Sequence, residues 1–407
     1  MPTTPTLTQL NAPVDYSSAH GDLVYVFKSD EFIATPTDYP NFKYIIDVYN
    51  GIELIGTIKA VPNPDSKFGV FNIGNIVRNY VNSRMIANTI VDYNTKEYGV
   101  NISIQVGYEY GVIVTQYHNV TADSKWYFNH YNGRLYGNYT WLSGHANDFI
   151  SNRPDKTNVI FGQPLFYSFL TTTSSIIAGS LMRVTFSAFN ASGSVTGTGT
   201  INITYEEFQA KIFNLNALNI NSLVGSSLIT SNTYALRINI HCKDFEGNDV
   251  DVYSPYFIYT CEPKYSVKTL VFLNKFGGYD SYDFTKVSKK SYEIEKKEYS
   301  RIPYDISSAT GAMTYYNNEN FIIDRQITYY GNYKEKITVN SDIINQDTYT
   351  WLAELVLSPQ IYLYENGMFI HMLIKATNYD FKTKIVDRTF NLQIDLDYAD
   401  SFNVQYR

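Results

Sequence analysis

The sequence predicts a mostly-β, multidomain protein made of β-sandwich and β-barrel-like modules with one or two short packed helices. Three observations carry that expectation. Apolar and polar residues alternate along many short runs, as half-buried strands require. Turn dipeptides such as Asn50-Gly51 and Asn366-Gly367 separate such runs, and both positions of Asn-Gly accept the positive φ of a tight hairpin. Aromatic residues are abundant, with 38 Tyr and 24 Phe against 3 Trp, and aromatics favour pleated surfaces. At 407 residues the chain exceeds one ordinary core, so two or three domains are expected. The pattern divides it into an extended arm (1–20), an N-terminal β domain with a short helix (21–152), an immunoglobulin-like β-sandwich (153–263) and a C-terminal β domain with one helix (264–407).

In order, Pro2, Pro5 and Pro13 among threonines give the arm no periodicity, and such an arm frays or lies on a neighbour. Residues 23–27, LVYVF, read as a strand. A hairpin follows at Asn50-Gly51, with Tyr44, Ile46 and Val48 on one face and Lys43 and Asp47 on the other. Ile73, Ile76, Val77, Tyr80 and Val81 fall at i, i+3, i+4, i+7 and i+8, the stripe of a helix packed on a sheet. Val100, Ile102, Ile104 and Val106 alternate as a strand, while residues 131–137 and 141–145 read as loops.

Asn152-Arg153-Pro154 opens a Ser-, Thr- and Gly-rich block. There Val184, Phe186 and Ala188 oppose Arg183, Thr185 and Ser187, and across a turn at 192–199 Ile201, Ile203 and Tyr205 answer them. Leu236, Ile238, Ile240 and Cys242 share another face. Several short strands with turns between them argue a small sandwich.

In the third block, residues 270–273 form a strand stopped at Gly277-Gly278, where glycine allows a corner. Asp280 and Asp283 then read as turn residues. The run from Lys286 to Arg301 interleaves Glu293, Glu295 and Glu298 and is expected to be a mixed-charge, solvated strand pair with Tyr292, Ile294 and Tyr299 as its apolar members. Asp347 is the expected N-cap of a helix burying Trp351, Leu352, Leu355 and Val356 and stopped by Ser358-Pro359. Asn366-Gly367 turns a hairpin, and a strand holding Asp395 and Asp397 closes the chain.

A net charge of −7 argues against generic nucleic-acid binding. The N-terminus has neither the basic head nor the apolar core of a signal peptide, and no apolar run is long enough to span a bilayer, so the expectation is a protein kept soluble in a cytoplasm. Cys242 and Cys261 are too few for a disulfide framework and read as buried thiols on neighbouring strands.

No catalytic, cofactor-binding or metal residues emerge. His20, His118, His130, His145, His241 and His371 lack metal-ligand spacing, and His241 beside Cys242 points to the opposite face of a strand. No Gly-x-Ser-x-Gly elbow occurs. The glycines Gly193, Gly197 and Gly199 lack a following Gly-Lys-Ser/Thr and a helix, so they read as a hairpin turn and not a phosphate loop. Paired acids could serve glycan cleavage. The candidate pairs are Asp280 with Asp283, Glu206 with Glu207, Glu293 with Glu295, and Asp395 with Asp397; Asp395 and Asp397 read as a wet strand edge, Asp280 and Asp283 as turn residues, and Glu206 and Glu207 follow Thr204 as part of a Thr-x-x-Glu capping box ahead of Phe208 and Ile212. Trp126 and Trp141 could stack on sugar rings, against the commoner fate of a core position.

The runs LVYVF, NFKYIIDVYNG and VPNPDSKFGVFNIGNIVRNYV, then VFLNKFGGYDSYDF, TYTWLAELVLSPQIYLYENGMFIHMLIKATNYDF and FNLQIDLDYA, resemble virion proteins of tailed bacteriophages and prophages of Bacteroidetes hosts, crAss-like phages included. The resemblance covers most of the chain in order and lies in fold motifs. It implies a non-enzymatic structural subunit of a phage tail, forming a ring with copies of itself and touching other tail or portal-proximal proteins. Such a protein is assembled in the host bacterial cytoplasm and resides in the virion tail. An acidic wall would keep passing DNA from sticking. The alternative is a virion or cell-surface adhesin or carbohydrate-binding β-sandwich.

Overall fold

The computed structural model describes residues 4–403 apart from 88–91, 96, 112–114, 132–147, 172–180, 205–208, 244–248, 301, 303, 316–325 and 375–389. Strands dominate, and the expected mostly-β, multidomain class is what the chain adopts. The expected loops at 131–137 and 141–145 fall almost wholly outside the described residues, as do Tyr205, Glu206, Glu207, Trp141 and His145.

The first core lies between a five-stranded sheet, ordered Ser17–Ser18, Thr115–Phe128, Gly99–Tyr110, Lys43–Asn50, Glu53–Ala60, and a three-stranded one, Leu7–Asn11, Val24–Ser29, Gly69–Asn72. Tyr25, Phe27, Tyr44, Ile46, Val48, Phe71, Val77, Ile102 and Ile104 fill it. Gly51 takes φ 61° at the hairpin, and the helical stripe becomes one α-turn, Gly74–Val77, followed by a 3-10 turn, Arg78–Tyr80. Asp47, on the face opposite Tyr44, Ile46 and Val48, is also buried and accepts from Thr57 Oγ1. The arm departs from expectation, because it folds on its own chain. Leu7–Asn11 pairs antiparallel with Val24–Ser29, and Ser17–Ser18 pairs parallel with Tyr127–Phe128. Each segment covers a strand edge that would otherwise expose its backbone groups.

The second core is a sandwich. Its larger sheet runs Lys156–Ile160, Tyr256–Thr260, Ala235–Lys243, Leu181–Phe189, Val195–Thr204, with Asp249–Tyr253 also on Ala235–Lys243. The smaller runs Asp148–Phe149, Phe166–Leu170, Ala210–Asn214, Asp92–Thr95. Between them lie Phe149, Tyr167, Phe169, Val184, Phe186, Phe213, Ile238 and Phe257. Asp92–Thr95, from the N-terminal part of the sequence, thus completes a sheet of the middle part.

Three readings change here. Ile212, expected on a helix after a capping box, lies in the wholly buried strand Ala210–Asn214. The helix comes later, at Ala217–Val224, where Asn216 Oδ1 accepts from the Leu218 N–H and Gly225 closes it at φ 65°. Gly193 makes the turn (φ 80°), whereas Gly197 and Gly199 are strand residues under that helix; a Cβ on Gly199 would meet Val224 at 2.6 Å. Cys242 is buried as expected, but Cys261 is exposed just beyond the strand Tyr256–Thr260.

The third core forms under a seven-stranded sheet ordered Tyr279–Phe284, Lys268–Leu273, Ile361–Glu365, Met368–Ile374, Gln393–Asn403, Gln326–Asn340, Lys289–Ser300. Helix Gln346–Leu357 lays Trp351, Leu352 and Leu355 against Leu270, Phe272, Ile337, Leu363 and Leu396. Its N-cap is Asn345, whose Oδ1 accepts the Thr348 N–H at 2.8 Å. Asp347, expected to cap, sits in the first turn instead, where the helix dipole favours an acid. Asn366 (φ 53°) and Gly367 (φ 82°) form the expected hairpin turn.

Asp280 and Asp283, expected in a turn, lie on the strand Tyr279–Phe284, which pairs back on Lys268–Leu273. The strand of Asp395 and Asp397 is interior and not an edge, with Asp397 buried. The charged run beyond Lys286 is one strand, not a pair; its partner is Gln326–Asn340. Among the described residues no helix is long and apolar enough to cross a membrane.

Candidate functional site

The three cores meet at one corner, residues 274–283. Asn274 Oδ1 accepts the N–H groups of Phe276 (3.0 Å) and Gly278 (3.1 Å), and Gly278 O accepts the Asn274 N–H. That side-chain turn is what asparagine does well. Gly277 sits at φ 77°, and a Cβ there would lie 1.9 Å from Asn129 O, so only glycine fits.

The first core grips this corner from outside. Tyr98 OH donates to Phe276 O (2.8 Å), Ser83 Oγ to Gly277 O (2.5 Å), and the His130 ring stacks on Phe276 at 5.4 Å. The Tyr279 hydroxyl lies 3.0 Å from Ser83 O and 2.5 Å from Gln360 Oε1. The sandwich grips the following strand. Ser168 Oγ accepts the Tyr279 N–H (3.0 Å), Ser281 Oγ accepts the Phe166 N–H (3.0 Å), and Asp283 accepts the Ile160 N–H (2.9 Å) and Thr269 Oγ1 (2.6 Å). Asp280 Oδ2 gathers Ser151 Oγ (2.7 Å), Trp351 Nε1 (3.0 Å) and Asn274 Nδ2 (3.2 Å).

Arg153 is the cation of the junction. Its Nη2 donates to Ser281 O at 2.5 Å, and its guanidinium lies over Trp351 (4.7 Å), Phe257 (5.5 Å) and Tyr167 (5.8 Å). Aromatic faces attract a desolvated cation by roughly 2 kcal/mol. Burial lowers the Arg153 pKa, opposed by the charge of Asp280, and burial raises that of Asp280 against the pull of Arg153 and its hydrogen bonds. Burial pushes Asp283 up to about 6, and raises Tyr167 and Glu354. Perturbed acids can mark active sites; here Asp280 Oδ2 and Asp283 each bond to other segments of the chain and so link the three cores, while Asp280 Oδ1 and the Nε and Nη1 of Arg153 are buried without a hydrogen-bond partner among the described residues.

The remaining candidates lie apart. Glu293 pairs with Lys336 (2.8 Å) and Glu295 lies 3.8 Å from Lys297, both on an exposed strand. Asp395 accepts from Thr338 Oγ1. His241 contacts Asp251 (3.1 Å) on the face opposite buried Cys242. Among the described residues no three of His, Cys, Asp and Glu gather as for a metal. Trp351 is core, and Trp126 is half-buried. Sequence reasoning singled out Asp280 but missed Ser83, Asn129, Ser151, Arg153 and Ser168. Only Arg153 carried a local signal, as part of a composition boundary, and nothing there marks burial.

No family model matches the chain, and no curated protein matches it. Among solved structures, one described as "Ca2+-stabilized adhesin helps an Antarctic bacterium reach out and bind ice" aligns over 97% of this chain and 91% of that chain at 10% identity and a TM-score of 0.17. A likeness that low carries no argument about this chain.

Proposed function

We propose that the chain is a non-enzymatic structural subunit of a bacteriophage tail, assembled in the host cytoplasm into a ring around the tail axis and contacting neighbouring tail proteins. The resemblance of its fold motifs to phage virion proteins supports this. The observation that carries it is the outermost strand of the C-terminal sheet. Lys289–Ser300 is exposed at every residue, its outer edge is covered by no described strand, and Tyr292 (59%), Ile294 (59%) and Tyr299 (49%) stand in solvent. Its partner strand adds Tyr329 (56%). A long uncovered edge with apolar side chains is a template for another chain, and a block locked at its centre can repeat such a contact at a constant angle, as ring closure requires.

The acidic balance would let DNA pass a channel wall without sticking. Native mass measurement and electron microscopy of the purified complex test the reading. A closed ring is expected; a monomer or trimer that binds a glycan array would overturn it, and a ring with a basic lumen would remove the DNA-passage role.

A further inference from the structure

The N-terminal sheet carries a feature that neither the junction nor the exposed strand uses. The ends of Lys43–Asn50, Gly99–Tyr110 and Thr115–Phe128 border a depression of about 540 Å³, within the size range of small-ligand sites. Asn50, Gly51 and Trp126 are among the residues that line it. Asn101 is the cross-strand partner of Trp126, and Ser103 that of Ser124, so these four side chains share one face of the sheet.

The indole is positioned in advance. Its ring runs within 12° of parallel to that of Phe128, which is fully buried, and the Trp126 backbone N–H donates to Asp15 Oδ1 at 2.8 Å. The ring itself stays half-buried and lines the depression. Polar groups surround it. Ser124 Oγ donates to Asn101 Oδ1 at 2.5 Å, while among the described residues the Asn101 Nδ2, the Asn50 amide, the Ser103 hydroxyl and the Tyr80 hydroxyl show no hydrogen-bond partner. The one acid in the lining, Glu97, is held by Arg84 at 2.7 Å.

We infer that this depression binds a neutral saccharide, with the C–H face of a pyranose on Trp126 and its hydroxyls on Asn50, Asn101, Ser103 and Tyr80. A purely apolar ligand would leave those four polar groups dry and unpaired, a cost for each. An anionic ligand would meet no unpaired cation there and a chain of net charge −7. A sugar supplies both the apolar face and the many hydroxyls that the lining matches. The inference is independent of the assembly state, so a failed ring would leave it standing.

Titration of the full chain with cellohexaose and with galactotetraose, followed by calorimetry and tryptophan fluorescence, tests it, with adenosine as a stacking control. At least one oligomer is expected to bind. Trp126→Ala should weaken that binding about tenfold or more, with some loss of packing on Phe128, and Asn101→Ala about threefold at unchanged melting temperature. Ser103→Leu, which fills the depression without touching the indole anchor, should also abolish it, and serves if Trp126→Ala does not fold. Binding by adenosine alone, binding indifferent to these substitutions, or no binding to either oligomer or to any neutral glycan on a printed array would overturn the inference.

Discussion

The corner at 274–283 and the strand Lys289–Ser300 are near neighbours in sequence, and both are rich in tyrosine and charge, yet they end in opposite environments. Tyr279 and Asp280 are wholly buried, while Tyr292 and Glu293 are exposed. The difference lies in what the rest of the chain brings to each. The corner meets Ser83, Ser151, Arg153, Ser168 and Trp351, donors and acceptors from distant segments that pair with many of its polar atoms, although Asp280 Oδ1 and the Nε and Nη1 of Arg153 stay buried without a hydrogen-bond partner among the described residues. Among the described residues the strand pairs with Gln326–Asn340 alone, on one edge, and reaches the rest of the sheet through Lys290, which bonds to Glu365. Buried polar groups persist where partners converge; the same residue types without convergence stay wet.

Breaking the corner should therefore cost far more than altering the strand. Gly277→Ala combines a positive φ with a backbone clash at Asn129 O, and should lower stability by about 4 kcal/mol or more, read as a drop in urea midpoint. Arg153→Ala removes the buried cation and its contacts to three aromatic faces, for an expected loss of about 3 kcal/mol in the same assay. A corner that tolerated either change would not be what fixes the cores.

Acidity sharpens the contrast from the other side. Asp283 has a folded pKa near 6 against an unfolded value near 3.9, so the folded state holds its proton more tightly. That contribution is complete below about 3.9 and is lost as pH rises through about 6, so stability should rise by about 2 kcal/mol between pH 7 and pH 4.5 relative to an Asp283→Asn variant measured in parallel. An identical pH dependence in the two proteins would remove Asp283 from the account.

Tyr279→Phe deletes the hydroxyl beside Ser83 O and Gln360 Oε1 and should cost about 1 kcal/mol by chemical denaturation. Replacing Tyr292 and Ile294 together by Ser should change monomer stability by less than about 0.5 kcal/mol, while abolishing the higher-order species in native mass measurement. A large loss of stability from that pair would show that the strand belongs to the core after all.

Much of this fold was legible locally. The hairpins at Asn50-Gly51 and Asn366-Gly367 and the alternating strands at Val100–Val106 and Leu236–Cys242 needed only period-2 patterning and turn chemistry. What stayed hidden required long-range knowledge. Gly197 and Gly199 resembled a turn because a helix packing on a strand also needs small residues. Ala210–Asn214 is buried on both faces, so it has no alternation to detect. The arm shows no periodicity, and its pairing with Val24–Ser29 depends on which strand edge lies open nearby. The junction was partly visible, since Gly277-Gly278 marks a corner, but the burial of Arg153 and Asp280 depends on Trp351 and Phe257 arriving from far along the chain.

That convergence also orders the protein's synthesis. When the first two cores have emerged from a ribosome, Ser83, Tyr98, Ser151, Arg153 and Ser168 face a socket whose filling residues, Asn274 to Asp283 and then Trp351, are not yet made. The sandwich can close its own sheets but must keep a buried-type arginine in water until the C-terminal helix arrives. Completion of the corner is then the step at which the nascent chain passes from linked, separately mobile pieces to a single body, and a pause in translation before Trp351 would prolong the interval in which those open sockets are exposed to other chains.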